Sequence, residues 1–116
     1  HAIECRLNAE SADQFLPSPG KISFYHPPGG FGVRLETHIF AGYEVPSFYD
    51  SLLGKLVTYA PTRHEALVKM RHALDEIVIE GISTNISLHK ELIECLIMQK
   101  HSYDIKTFMP LLKAAC

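Results

Sequence analysis

The sequence predicts an α+β fold: an antiparallel β-sheet over residues ~1–60 with two or three C-terminal helices packed on one side. Two observations lead there. Residues 1–60 hold six of the seven glycines and five of the seven prolines, the residues that punctuate strands and turns. Helical periodicity of apolar residues begins only after Pro61, so the order is sheet first and helices second. At 116 residues the chain can bury one core but not two, and a single domain over 1–116 is expected.

The chain opens on alternation. Ile3, Cys5, Leu7 and Ala9 face one way and Ala2, Glu4, Arg6 and Asn8 the other, as in a strand with one buried face. Because His1 precedes this pattern with no Met, the chain is expected to be a fragment of a longer polypeptide, entered in mid-sheet. The stretch from Phe15 through Pro17 and Pro19 to Gly20 is an extended turn, since each proline removes a donor and disfavours helix at the residue before it. Lys21 to His26 reads as a second short strand.

A turn at Pro27-Pro28-Gly29-Gly30 leads into a third strand running to about Phe40. Phe31, Val33, Leu35, Thr37 and Ile39 fall on one face of it, the buried one, and Gly32, Arg34, Glu36 and His38 on the other. Glycine weakens a strand unless something must approach the backbone, so Gly32 beside Arg34 suggests a cleft floor presenting a fixed cation. Ala41 to Pro46 is a further turn with room for a short strand. Leu52 to Tyr59 is apolar on both faces apart from Lys55, as expected of a central strand covered on both sides. Such a lysine reaches the edge of the sheet along its aliphatic stem.

The most clearly marked element is a helix from about Arg63 to Glu76. Thr62 and Glu65 form a capping box, and Ala66, Leu67, Met70, Ala73, Leu74 and Ile77 recur at helical spacing. Ile77-Val78-Ile79, β-branched and closed by Gly81, can return as a strand. Asn85 or Ser87 can cap a second helix with Leu88, Leu92, Leu96, Ile93 and Ile97 on its apolar stripe, ending near Met98. After a polar connection, Thr107 can cap a last short helix that tolerates Pro110 in its first turn.

Composition narrows the function. A formal net charge of −2 and scattered basic residues argue against nucleic acid, and no apolar run is long enough to span a bilayer. Cys5, Cys95 and Cys116, an odd count with no C-x-x-C, are expected to be free thiols in a reducing compartment. None of the seven histidines stands in a metal-ligand spacing, so no metal site is expected. No P-loop, nucleophile elbow or dinucleotide fingerprint occurs. Arg34, Glu36 and His38 on one strand face are the residual candidates for an acid/base site; the same pattern also describes an ordinary solvent-facing strand.

Four ordered stretches carry a resemblance that composition does not: His1 to Glu10, Phe15 to Ile22, Pro28 to Arg34, and Tyr49-Asp50-Ser51-Leu52-Leu53-Gly54-Lys55-Leu56. A fifth, Gly81-Ile82-Ser83-Thr84-Asn85, is similar to a G-I-x-T-N motif. Together they resemble the C-terminal domain of the biotin carboxylase family, over about residues 1–98. The resemblance implies an ATP-grasp enzyme that uses ATP and Mg or Mn to activate bicarbonate as carboxyphosphate, then carboxylates a ureido nitrogen of biotin on a carrier protein or domain. The ATP and metal sites would lie in an upstream region. Arg34 matches the arginine of the G-G-F-G-V-R motif, and the resemblance makes it the catalytic and biotin-binding residue of this chain. Asp50 and Lys55 belong to a family motif without an assigned role.

The resemblance further implies a homodimer, this domain being the family's usual dimer surface, and a cytoplasmic setting, or a mitochondrial matrix one in a eukaryote. Acetyl-CoA carboxylase in fatty acid biosynthesis is one associated context; propionyl-CoA, methylcrotonyl-CoA and pyruvate carboxylase stay open beside it, because acceptor choice lies in another domain. Two other readings compete. The domain can serve mainly as a structural and dimerisation module, or be a small enzyme using Arg34, Glu36 and His38 alone.

Overall fold

The computed structural model describes residues 1–11, 16–47 and 51–99. Asp50, the Thr107-capped helix and Cys116 lie outside them.

The element order is β1 (Ala2–Asn8), β2 (Gly20–Lys21), β3 (Phe24–His26), β4 (Val33–Thr37), β5 (Glu44–Val45), β6 (Leu52–Tyr59), α1 (Arg63–Glu76), β7 (Val78–Glu80) and α2 (Ile86–Gln99). The fold is α+β and its pairings are antiparallel, as expected. They form three pieces, not one sheet: β1-β6-β4, β2-β5 and β3-β7.

The expected strand from Lys21 to His26 is therefore divided. Lys21 pairs with Glu44 and Phe24 with Glu80, while buried Ile22 between them fills the core. The backbone changes partner at Ile22 and Ser23: Ile22 N–H donates to the Tyr43 carbonyl and Ser23 N–H to the Glu80 carbonyl. Period-two alternation cannot reveal such a change of partner, because both halves remain extended.

β6 is the central strand, as its two-sided apolar pattern implies. Leu53 is skipped in the pairing, since Leu7 faces Gly54 and Asn8 faces Leu52; this bulge lets Leu53 join the core. α1 packs on β6, β1 and β4, and α2 packs on α1, so the helices cover one side of the sheet. Cys5, Leu7, Leu56, Leu67, Met70 and Leu74 form the shared core. Thr58, fully buried, tolerates that place because its hydroxyl donates to the Ala66 carbonyl of α1 at 3.0 Å.

α1 spans the expected residues, and Thr62 Oγ1 accepts the Glu65 N–H at 3.1 Å. The strand after it begins one residue later than expected, because Ile77 closes the helix with its N–H on the Ala73 carbonyl. On α2 the buried positions are Ile86, Ile93, Cys95 and Leu96, with Leu88 and Leu92 half-buried, so the apolar stripe is rotated from the expected one.

Cys5 is a free, buried thiol. Cys95 departs from expectation: it is disulfide-bonded. The cysteines thus no longer argue for a reducing compartment. Among the described residues no helix is long and apolar enough to cross a membrane.

Candidate functional site

The three-stranded sheet has one face under the helices and one facing away from them. Strand parity and register place Glu4 and Arg6 of β1, Lys55, Val57 and Tyr59 of β6, and Arg34 and Glu36 of β4 on the outer face. Three cations stand there against two carboxylates. Lys55 is half-buried, with Arg6 and Glu36 as its register partners on the two flanking strands.

Arg34 is exposed on this face, as are Glu4, Arg6 and Glu36. It pairs in register with Val57, and its guanidinium lies over the ring of Tyr59, the diagonal neighbour, 5.6 Å from the ring centroid. Its Nη2 forms an ion pair at 3.2 Å with Oε1 of Glu36, two residues along the same face. Both side chains are more than half exposed, at 56% and 55%. Screening by water makes such a pair weak, about 0–1 kcal/mol, so Arg34 can exchange Glu36 for a ligand at little cost.

The polar trio of the sequence is not assembled. β4 ends at Thr37, whose Oγ1 donates to the Leu53 carbonyl at 2.6 Å and accepts the Ile39 N–H at 3.2 Å, turning the chain. His38 then stands edge-on to the Tyr43 ring, 5.3 Å between centroids, and makes no pair with Arg34 or Glu36.

The strand also starts later than expected. Gly32 has φ +76°, a left-handed value that breaks the alternation, and Phe31 is 95% exposed instead of buried with Val33. Gly32 is needed here for a reason other than the expected one. A Cβ would lie 2.5 Å from Lys69 Nζ and 2.7 Å from the Tyr59 carbonyl oxygen, so the close neighbour is the protein itself. Lys69 of α1 donates to that carbonyl at 2.9 Å and sits over the Phe31 ring at 5.5 Å. His1, Phe31, Tyr59, Pro61 and Lys69 bound an open hollow of about 490 Å³.

Two further contacts fix the turn before Arg34. Gly29 N–H donates to Glu76 Oε1 at the end of α1 at 3.0 Å, and Gly32 accepts the Tyr59 N–H at 2.8 Å. Neither Tyr59, Lys69 nor Glu76 stood out as site residues in the sequence, because each lies far from Arg34 along the chain. Among the described residues no three His, Cys, Asp or Glu side chains gather into a metal site.

The outer face of this helix-backed antiparallel sheet presents two exposed guanidinium groups, those of Arg6 and Arg34. Comparison with known proteins identifies the domain. Residues 4–109 match the model of the biotin carboxylase C-terminal domain, and the chain belongs to that family. It is 56% identical over 93 residues to a biotin carboxylase of Pseudomonas aeruginosa and 50% identical over 105 residues to one of Haemophilus influenzae. These alignments cover 80% and 90% of this chain but only 21% and 23% of those proteins. The crystal structure of a biotin carboxylase-beta-gamma-ATP complex from Campylobacter jejuni superposes with a TM-score of 0.85 at 44% identity, over 95% of this chain and 24% of that one. The biotin carboxylase domain dimer of the Hydrogenobacter thermophilus 2-oxoglutarate carboxylase, in complex with MgADP, ADP and bicarbonate, gives 0.88 at 35% identity over 99% and 26%.

Proposed function

We propose that this chain is the C-terminal domain of a longer biotin carboxylase, and that its outer sheet face supplies the biotin-facing wall of an active site completed by an ATP-grasp region. ATP, Mg or Mn and bicarbonate are bound by that region, and the biotin arrives on a carrier protein or domain. The observation that carries the reading is Arg34: the arginine of the family motif stands on the face opposite the helices, half exposed and held only loosely by Glu36.

The chemistry follows from the guanidinium. When the ureido nitrogen of biotin loses its proton, negative charge develops on the ureido oxygen, and a planar cation with paired N–H donors stabilises that charge. A loosely held partner suits this role, since Glu36 yields donors to the ligand without leaving a buried charge unpaired.

The setting we propose is acetyl-CoA carboxylase in fatty acid biosynthesis, in a bacterial cytoplasm or a eukaryotic mitochondrial matrix. It is supported by the solved Campylobacter jejuni protein named simply biotin carboxylase, at 44% identity, against 38% and 35% for the solved pyruvate and 2-oxoglutarate carboxylase domains. A homodimer is part of the proposal, in line with the dimer of the Hydrogenobacter structure.

The test compares the complete enzyme with the 116-residue chain. The complete enzyme is expected to release ADP in a bicarbonate-dependent reaction and to carboxylate biotin, and the chain alone to do neither. Turnover by the chain alone overturns the proposal in favour of a self-contained small enzyme. The exposed Phe31 favours a second reading, a mainly dimerising module. Sedimentation of the chain, alongside biotin binding to the complete enzyme and its Arg34→Ala variant, separates the two.

A further inference from the structure

β1 is an edge strand, and backbone groups that it turns away from β6 are taken up by the start of α2. Asn85 Oδ1 accepts the Asn8 N–H at 2.9 Å, and the Asn85 N–H donates to the Asn8 carbonyl at 3.2 Å. The Arg6 carbonyl lies within reach of two donors, Asn85 Nδ2 at 3.0 Å and His89 Nε2 at 2.7 Å. Four bonds thus fasten the entry of α2 to one strand, and His89 contributes the one made by a titratable side chain.

We infer that His89 is a pH-sensitive latch, which holds the first turn of α2 against the edge of β1 while neutral and releases it in acid. The place of the ring argues for this. A carbonyl only accepts, so Nε2 carries the proton and Nδ1 is bare in the neutral ring. A second proton would set a cation on the fourth residue of α2, at the positive end of the helix dipole, in a first turn that holds no acidic residue. The ring is also half-buried, so water offsets only part of that cost. Among the charged groups around it, Arg6 stands on the outer face of β1, Lys90 of α2 pairs with Asp75 of α1 at 3.6 Å, and Glu91 is exposed. Glu10, just beyond β1, favours the charged ring, but burial outweighs it and lowers the pKa of the closed form below the ordinary 6.5. Closure is therefore at full strength above about 6.5, and opening grows up to about tenfold per pH unit as pH falls toward the folded value. With the latch open, β1 stays paired with β6, while its edge-facing Arg6 carbonyl and Asn8 N–H are released.

Hydrogen–deuterium exchange of the complete enzyme tests this, read on peptides spanning residues 6–10 and 84–92 and corrected for the pH dependence of chemical exchange. Between about pH 7.5 and about pH 5.5 the protection of both peptides is expected to fall up to about tenfold, with α1 and β6 unchanged. His89→Gln can still donate to the Arg6 carbonyl but cannot charge, and its protection is expected to be the same at both pH values. His89→Ala is expected to lose protection at both. Equal protection of the parent at the two pH values overturns the inference, as does a Gln variant that opens in acid like the parent. An Ala variant as protected as the parent at the higher pH shows that the ring holds nothing and overturns it too. A loss shared by α1 and β6 is global unfolding, which also overturns a local latch. Should His89→Ala fold poorly, the comparison of the parent with His89→Gln decides alone.

Discussion

The side-chain amide of Asn85 reaches back across the fold to the backbone of Asn8: Asn85 Oδ1 accepts the Asn8 N–H at 2.9 Å, and Asn85 Nδ2 donates to the Arg6 carbonyl at 3.0 Å. β1 is the edge strand of its sheet, so these groups face outward from the ladder. One asparagine, 5% exposed, thus takes the place of a neighbouring strand. This is the residue that closes the Gly81-Ile82-Ser83-Thr84-Asn85 motif, and its amide goes to β1 instead of capping α2. Asn85→Ala leaves the part-buried Asn8 N–H unmatched, while the Arg6 carbonyl keeps His89 Nε2, and should cost about 2 kcal/mol. Asn85→Asp should be no better, since it sets a second oxygen against the Arg6 carbonyl. Urea denaturation of the chain checks both, and an Asp variant as stable as the parent contradicts the assignment of the amide.

His89 shares this cluster. Its Nε2 lies 2.7 Å from the Arg6 carbonyl, which can only accept, so Nε2 carries the proton and Nδ1 is the site that titrates. Burial pushes its pKa below the usual 6.5, against smaller opposing effects of the Arg6 carbonyl and the Glu10 charge. A histidine with a depressed folded pKa favours the neutral form. Its contribution is complete above the unfolded value, about 6.5, and is lost as pH falls through the folded one. His89→Gln should therefore flatten the fall in thermal midpoint below pH 6.5. Parallel curves for parent and variant would refute the assignment.

Cys5, on the core side of β1, should react slowly. Burial, with a smaller effect of Glu4, pushes its thiol up to about 12, so almost no thiolate exists at neutral pH. Titration of native protein with a disulfide reagent should modify it only as fast as the structure opens, and denaturant should release it at once. Rapid modification without unfolding would show that β1 does not pack as described.

Thr62→Ala should cost about 1 kcal/mol through loss of the bond from Thr62 Oγ1 to the Glu65 N–H. Thr62→Ser should retain most of it. The readout is the denaturation midpoint, and an unchanged Ala variant would mean that the cap contributes nothing.

What the sequence revealed was whatever lies within one turn or one strand of itself. The Thr62 cap, the central strand around Leu56 and the core side of β1 all follow from local pattern. The change of partner at Ile22 and the amide of Asn85 do not, because each depends on residues tens of positions away. Phe31 was misplaced for a local reason: a left-handed Gly32 interrupts an alternation that composition alone cannot interrupt. On the outer face, the placement of Arg34 and Glu36 was legible through strand parity. Tyr59 was not, since its relation to Arg34 exists only once the register of β4 on β6 is known.

Arg34 itself gives the sharpest prediction. If the guanidinium stabilises the ureido oxygen as charge develops, its interaction is stronger in the transition state than with bound substrate, and removing it must show in turnover. Arg34→Ala in the complete enzyme should lower the biotin-dependent kcat by about 10²–10³, the usual scale for one lost oxyanion donor. Arg34→Lys should recover only part of that. An ammonium restores the charge, but it offers neither the planar pair of donors nor the flat surface that lies over Tyr59. Bicarbonate-dependent ATP cleavage without biotin should change far less, since in the proposed enzyme that half-reaction belongs to the ATP-grasp region. Both rates are to be measured in one preparation. An equal fall in both points to misfolding or to a role for Arg34 with bicarbonate, and no fall in either removes Arg34 from the chemistry altogether.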